Sequence, residues 1–425
     1  MRILLLAHDC NPDWPSLPIV AFKACRALAK IAQVVVVTHI RNRTNIDRDG
    51  IPGAEIVYLD NEYLASPLYK VAKVLRGGTA VAWTLDVALG YPGYLAFEWE
   101  AWKHFRQELK QRAFDVVHRL TPMSPTIPSP LAKWSPVPFV IGPLNGGLRW
   151  PKAFLGELHR EREWLSYVRA GYRIMPYYRS TYRRSAAVLA AFSHTIADLP
   201  AAALPHTIDF PEVGIDPTLF ADKGRQLRSG PMTMLYVGRL VPYKCPDVAV
   251  SAFAANPALR QHRLLIVGSG PEQPRLEQII RDNKLEGCVE LLGQRTQAEV
   301  GKLMQEADLF AFPSIRELGA GVVVEAMASG LACVVVDYGA PGALVGRERG
   351  VAVPLGTKEQ LVQEFARALE ALAGDPQRVL RLSKAASQYA LTEYSWEAKA
   401  RKTLEVYEWA AGRRDAKPVF EPAPM

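Results

Sequence analysis

Two carboxylates eight positions apart, Glu317 and Glu325, stand in a stretch whose residue types suit the binding of anions and hydroxyl groups. It reads Pro313-Ser-Ile-Arg-Glu317-Leu-Gly319-Ala320-Gly321-Val322-Val-Val-Glu325-Ala-Met-Ala-Ser-Gly330. The apolar run ending at Phe312 predicts a strand. The pattern after the loop predicts a helix from about Gly321 to a C-cap at Gly330. Glycines let a ligand approach the backbone, and the first N–H groups of a helix favour anions. A carboxylate beside an anion site is costly unless it accepts hydrogen bonds, for instance from hydroxyls. Phosphate together with hydroxyls points to a nucleotide sugar. An ordinary strand–turn–helix with solvated glutamates has the same pattern.

A second group could hold a diphosphate. In Tyr236-Val-Gly238-Arg239-Leu-Val-Pro-Tyr-Lys244, two cations follow a predicted strand and a glycine turn. Their charge would offset the negative charge that develops on a departing diphosphate. Taken singly, each is also compatible with a solvated surface cation. Gly268-Ser-Gly270-Pro271 follows another predicted strand, but Gln273 stands where a dinucleotide fingerprint needs its third glycine. A dinucleotide cofactor is therefore not expected. Gly293-Gln-Arg295 closes the next strand. In the first half, His118 is expected at a strand end, where it would orient a substrate, shuttle a proton or serve the structure. Gly142-Pro-Leu-Asn145-Gly146-Gly147 reads as a glycine-rich loop on the acceptor side, or as a plain turn.

These residues need a scaffold, and the apolar pattern supplies one. Ile3–Ala7, Val34–Thr38, Glu55–Leu59, Asp115–His118, Pro138–Ile141 and Ala187–Ala191 read as strands separated by helical lengths. The pattern restarts with Thr233–Gly238, Arg263–Gly268, Val289–Leu292, Leu309–Phe312, Ala332–Val336 and Val351–Val353. Strands rich in Val, Ile and Leu with little alternation predict parallel sheets buried on both faces. The expected fold is α/β, with two tandem doubly wound, Rossmann-like domains at 1–222 and 231–390 and ligands in the cleft between them. Asp216–Gly230 is read as the linker. Leu59–Gln111 is read as helical stretches interrupted at Gly77-Gly78 and at Gly90–Gly93. The tail from Arg413 is expected to be loose.

The chain has 425 residues, 49% hydrophobic and 22% charged, which suits two globular cores. It contains no run of 18 apolar residues that would span a bilayer. Met1–Ala7 reads as a first strand, because His8 and Asp9 break it before a secretion signal could form. Five cysteines at 10, 25, 245, 288 and 333, with no CxxC pair, predict neither disulfides nor zinc. A cytoplasmic protein is expected. The net charge of +8 favours anionic partners. From Arg149 to Arg184, nine Lys and Arg stand against three Glu, with eight aromatics among them. This segment suits peripheral contact with an anionic membrane at the inner face of the cell membrane, or a packed aromatic face with solvated arginines. No nucleic-acid motif accompanies it.

Glu317 and Glu325 resemble the Glu-x7-Glu motif of retaining glycosyltransferases of the GT-B fold, as in glycosyltransferase family 4. Glu-Ala-Met-Ala-x-Gly after it, and Gly-Arg-x4-Lys at Gly238–Lys244, are similar too. The resemblance implies that Glu317 meets the donor sugar near the reacting carbon, that Glu325 binds the ribose, and that the amides of Gly319, Ala320, Gly321 and Val322 meet sugar and phosphate. It implies that Arg239 and Lys244 hold the diphosphate, with Gly238, Gly268, Gly270 and Arg295 close to the nucleotide. His118 matches one position of a family Val-His-x-His pattern, with Leu120 at the other. Asn145, Gly146 and Gly147 resemble an acceptor-side loop of some members. Trp396 resembles a packing anchor before a helix, about 395–412, that returns to the first domain. The implied activity is transfer from a nucleotide-diphosphate sugar to a glycan, lipid-linked or small-molecule acceptor, in cell-envelope or exopolysaccharide synthesis. No Asp-x-Asp stands near these groups, so metal-independent chemistry without a further cofactor is expected. Two other readings are a nucleotide-sugar epimerase on the same fold and a non-catalytic nucleotide-sugar-binding subunit.

Overall fold

The computed structural model describes residues 1–62, 83–160, 171–224, 226 and 230–420. The chain forms two compact units. The first comprises Met1–Gly147, Arg162–Glu212 and Trp396–Phe420, and the second comprises Leu148–Glu161 and Val213–Ser395.

The first unit is built on a seven-stranded parallel sheet. Its strands are β1 (Arg2–Ala7), β2 (Gln33–His39), β3 (Ala54–Leu59), β4 (Val116–Thr121), β5 (Phe139–Leu144), β6 (Ala187–Ala190) and β7 (Thr207–Asp209), in the order β3-β2-β1-β4-β5-β6-β7. Alternate residues enter opposite cores. Ile3, Leu5 and Ala7 pack on one face with the helices Leu17–Ala29 and Trp396–Ala410. Leu4 and Leu6 pack on the other, against the helix Trp83–Lys110. Both faces are apolar, which explains the unbroken apolar runs in the sequence.

The helix Trp83–Lys110 runs through Pro92, where the glycines around it predict an interruption. Tyr94, Phe97, Ala101, Phe105 and Leu109 recur at helical spacing and are all buried, so tertiary burial overrides local propensity. Glu98 fixes this helix from the side. Its buried carboxylate accepts from the Leu131 amide at 3.0 Å, and also from the Tyr94 and Ser129 hydroxyls. The Gly77-Gly78 position lies outside the described residues.

The second unit has a six-stranded parallel sheet. Its strands are β8 (Thr233–Val237), β9 (Arg263–Val267), β10 (Val289–Gly293), β11 (Leu309–Phe312), β12 (Ala332–Val336) and β13 (Gly350–Val353), in the order β10-β9-β8-β11-β12-β13. The order reverses between β8 and β11, and ligands bind open α/β sheets beyond the carboxyl ends at such a switch point. Registered pairing there joins Met234 to Leu309 and Leu235 to Phe310.

Three boundary expectations are corrected. Of the expected linker Asp216–Gly230, residues 216–222 pack into the second unit. The Ile215 amide bonds to Tyr394, Phe220 is buried, and the Asp222 side chain lies where a β-carbon on Gly330 would fall. Residues 148–161, encoded between β5 and β6, also cluster with the second unit. The tail is tied down as far as Phe420. Phe420 packs edge-on against Phe210, Arg414 pairs with Glu405, and the Lys417 amine donates to the Pro205 carbonyl.

Candidate active site

Both loops at the second switch point carry the charged groups singled out in the sequence. After β8, the chain turns at Gly238, passes Arg239 and forms a short 3-10 turn, Pro242–Lys244. Cys245 follows in the left-handed region and starts the helix Pro246–Ala255. After β11, Pro313–Ala320 forms the loop, with Ala320 also left-handed, and the helix Gly321–Ala328 begins. The Val323 and Val324 amides donate to the Ala320 carbonyl at 2.9 and 3.4 Å, and those of Gly321 and Val322 precede any acceptor within the helix.

The two loops meet through an ion pair. Lys244 Nζ lies 2.7 Å from Glu317 Oε1, and both side chains are nearly enclosed, at 12% and 13% exposure. Ser314 Oγ donates to the same carboxylate oxygen at 2.9 Å. The Lys244 amine sits over the rings of Phe312, at 5.0 Å, and Tyr243, at 5.8 Å. The Glu317 backbone is fixed as well, since its carbonyl accepts from the Ala340 amide at 3.1 Å. Arg239 is exposed beside this pair, and its guanidinium donates to the Tyr243 hydroxyl at 2.6 Å. Glu325 lies half-buried one turn inside the helix. Gly319 and Ala320 are buried in the loop, and Gly321 and Val322 open the helix half-buried.

The glycines after β9 are there for the backbone. A β-carbon on Gly268 would collide with the Gly238 carbonyl, and one on Gly270 with the Leu240 carbonyl. The loops are laced together there. The Leu240 amide donates to Ser269 at 2.9 Å, and the Glu272 amide donates to Leu240 at 2.9 Å. Arg295 is exposed after β10, at the outer side of the sheet.

In the first unit, β4 continues to Thr121, so His118 lies inside the strand and not at its end. It is fully buried and both ring nitrogens are engaged. Nε2 faces the Gly142 carbonyl at 2.6 Å and must donate, which leaves Nδ1 to accept from the Tyr407 hydroxyl at 2.6 Å. Burial depresses its pKa to about 4, so the ring is neutral. The expectation of a catalytic His118 is corrected on these grounds: neither nitrogen is available to a substrate, and the ring joins β4 to β5 and to the helix Trp396–Ala410.

Asn145, Gly146 and Gly147 also serve packing. Asn145 Nδ2 donates to Glu212, whose buried carboxyl is pushed up to about 7 by desolvation. The Gly146 amide bonds to Thr195 Oγ1 at 3.2 Å. Gly147 has φ +75°, and a β-carbon there would meet the His194 carbonyl at 2.7 Å. Glu212 lines a small cavity with His118, Trp396, Lys399 and Thr403. Trp396 is buried, as its anchoring position implies.

The basic, aromatic stretch does not form one amphipathic element. It holds a short helix Leu155–Arg160, which belongs to the second unit, and a helix Tyr178–Arg184 in the first. Tyr178 and Tyr182 are buried in the first unit's core. Trp164 and Tyr167 lie outside the described residues. Sequence reasoning gave no role to Ser314 or Tyr243, which contact Glu317 and Arg239. Both lie within one or three residues of a charged site residue, which was the available signal. Among the described residues, no cluster of three metal-ligating side chains occurs, and no helix is long and apolar enough to cross a membrane.

The chain has relatives of known activity. Residues 220–389 match the family described as Glycosyl transferases group 1. D-inositol 3-phosphate glycosyltransferase of Kineococcus radiotolerans is 33% identical over 209 residues, 44% of this chain and 47% of that one. The amylovoran biosynthesis glycosyltransferase AmsK of Erwinia amylovora is 29% identical over 212 residues, 47% and 50% of the two chains. The chain thus spans about half the length of the curated relatives it matches. The crystal structure of Anabaena HepE with UDP and glucose superposes with a TM-score of 0.60 at 17% identity, covering 95% of this chain and 98% of that one. Sucrose-phosphate synthase of Thermosynechococcus elongatus superposes at 0.67 and 18% identity, covering 97% and 100%. The chain therefore has the two-domain GT-B fold of these structures, and its residues 220–389 are similar to the group 1 glycosyl transferases.

Proposed function

We propose that the protein is a retaining glycosyltransferase that moves a sugar from a nucleotide-diphosphate donor to a glycan or lipid-linked acceptor. The observation that carries this reading is the Lys244–Glu317 pair at the β8/β11 switch point, with Arg239 beside it. Arg239 and Lys244 hold the diphosphate and balance the charge it gains as the bond to the sugar carbon breaks. Glu317, fixed at both backbone and carboxylate, meets the sugar. Glu325 meets the ribose, and the N–H groups at Gly319–Val322 meet sugar and phosphate oxygens. The HepE structures hold UDP and UDP-glucose, which supports a nucleotide-sugar donor here. AmsK acts in amylovoran biosynthesis, which supports a role in polysaccharide or envelope synthesis.

The test is an assay of transfer from a panel of nucleotide sugars by the wild type and Glu317→Ala. Loss of transfer in the variant supports the reading, and unchanged turnover overturns it. The chemistry needs no metal in this reading, so a chelator should leave the rate unaltered. A cytoplasmic setting at the inner membrane face belongs to the same proposal. Ile174, 88% exposed in a stretch of the chain that also exposes Arg173, Arg179, Arg183 and Arg184, supports contact with anionic lipid. Sedimentation with phosphatidylglycerol vesicles but not with phosphatidylcholine vesicles would support that contact, and equal sedimentation would refute it.

A further inference from the structure

The short segment 148–157 leaves the first unit after β5 and is bound along the charged loops of the second. Its leading end lies against the Glu317 side of the site. The Leu148 side chain fills the space beside Gly339, where a β-carbon would come within 2.8 Å of it and within 2.6 Å of the Glu317 carbonyl. The Tyr338 hydroxyl donates to the Arg149 carbonyl at 2.8 Å. Trp150 stands edge-on to Tyr243, with ring centres 6.4 Å apart and planes at 87°, and the Arg316 guanidinium lies 5.2 Å over the indole. The trailing end lies against the Lys244 side. Glu157 pairs with Lys358 at 3.3 Å, and Lys358 pairs with the buried Asp247 at 2.6 Å. Asp247 lies two residues after Cys245, at the start of the helix that follows Lys244.

The segment is therefore anchored at both ends and touches the middle of the loop that carries Arg239, Tyr243 and Lys244. Tyr243 links this segment to both cations of the loop. One side of its ring faces the Lys244 amine, its hydroxyl takes the Arg239 guanidinium, and its ring meets Trp150. An edge-to-face aromatic contact adds to what the buried area alone supplies and favours one rotamer.

Resting on the proposed donor site, we infer that segment 148–157 is a working part of that site and that Trp150 is a positioning residue. It holds Tyr243, and through Tyr243 it fixes the Arg239 guanidinium where the outer phosphate of the donor binds. Arg316, stacked on the same indole, is held at the Glu317 end by the same contact. A side chain encoded in the first domain's sequence thereby shapes how the second domain grips a diphosphate.

The test is calorimetric binding to the full-length protein of uridine, guanosine and adenosine diphosphates and their monophosphates. Trp150→Ala is expected to weaken the diphosphate that binds by roughly three- to tenfold, and to change the matching monophosphate by less than about twofold. Trp150→Phe, which keeps a ring edge on Tyr243, should restore most of the loss. Trp150→Leu fills the volume without a ring and replaces Ala if Ala lowers the unfolding temperature. Equal diphosphate affinity in these variants overturns the inference, and so does a parallel loss for mono- and diphosphate. Failure of the wild type to bind any of the three diphosphates overturns the donor-site reading itself.

Discussion

Lys244 Nζ and Glu317 Oε1 are 2.7 Å apart although 73 positions separate the residues in sequence. The pair is nearly enclosed, so each charge depends on the other and on the Ser314 hydroxyl. Lys244→Ala and Glu317→Ala should each reduce kcat/KM for transfer by about a hundredfold or more. The double variant should lose far less than the product of the two, because the second removal no longer strands a partner. Steady-state kinetics of the four proteins measure this coupling, and strict additivity would show that the two groups act separately.

Gly268 should tolerate no side chain. Its φ of +142° and the Gly238 carbonyl in the β-carbon's place add strain to a backbone collision. Gly268→Ala is expected to cost upward of about 2 kcal/mol of stability and to displace the loop that carries Arg239. Chemical denaturation gives the first quantity and nucleoside diphosphate titration the second.

Acid should weaken the fold through His118. The folded ring titrates at about 4 and an unfolded one near 6.5, so the unfolded state takes up the proton first. Stability is then complete above about 6.5 and falls as the pH drops toward about 4, below which this contribution is flat. His118→Gln should remove that slope while lowering stability at neutral pH. Unfolding curves between these limits, for both proteins, are the measurement.

Glu212 works in the opposite direction. Its carboxyl is held at about 7 against 4.5 when unfolded, so the folded state keeps the proton longer. Stability attributable to it is present at low pH and declines as the pH rises from about 4.5 to about 7. Glu212→Gln should therefore raise the unfolding temperature more at pH of about 8 than at about 5. An equal change at both would indicate that the group does not titrate in this window.

Much of this architecture was legible in the chain, and particular residues explain where reading failed. Leu309–Phe312 and Ala332–Val336 have the same bounds in sequence and structure, because each is a short apolar run buried on both faces. β7, Thr207–Asp209, was missed as a three-residue edge strand ending in a charge. β4 was cut short because Arg119 and Thr121 look like a strand's end. In fact Arg119 is wholly buried, and its guanidinium donates to the Ile127 carbonyl at 2.5 Å. Asp216–Gly230 reads as a linker because it is polar and contains glycine, and only the contact of Asp222 with Gly330 and that of the adjoining Ile215 with Tyr394 reveal the place of its first part. At the candidate site, the charged residues and their loops were readable. Their supports were not: Trp150 meets Tyr243 across 93 positions, and Ser314 and Tyr243, though close in sequence to Glu317 and Lys244, act through side-chain rotamers that a sequence does not display.

The discontinuity of the second unit also bears on protein engineering. A chimera that borrows this donor half from one relative and the acceptor half from another, cut only near residues 212 and 395, would inherit a foreign 148–157. The graft would then present an unfilled hollow beside Gly339, a Tyr243 without its indole neighbour, and a Lys358 stripped of Glu157. Recombination that keeps specificity intact should transplant both pieces, with the small internal insert travelling alongside the half it serves.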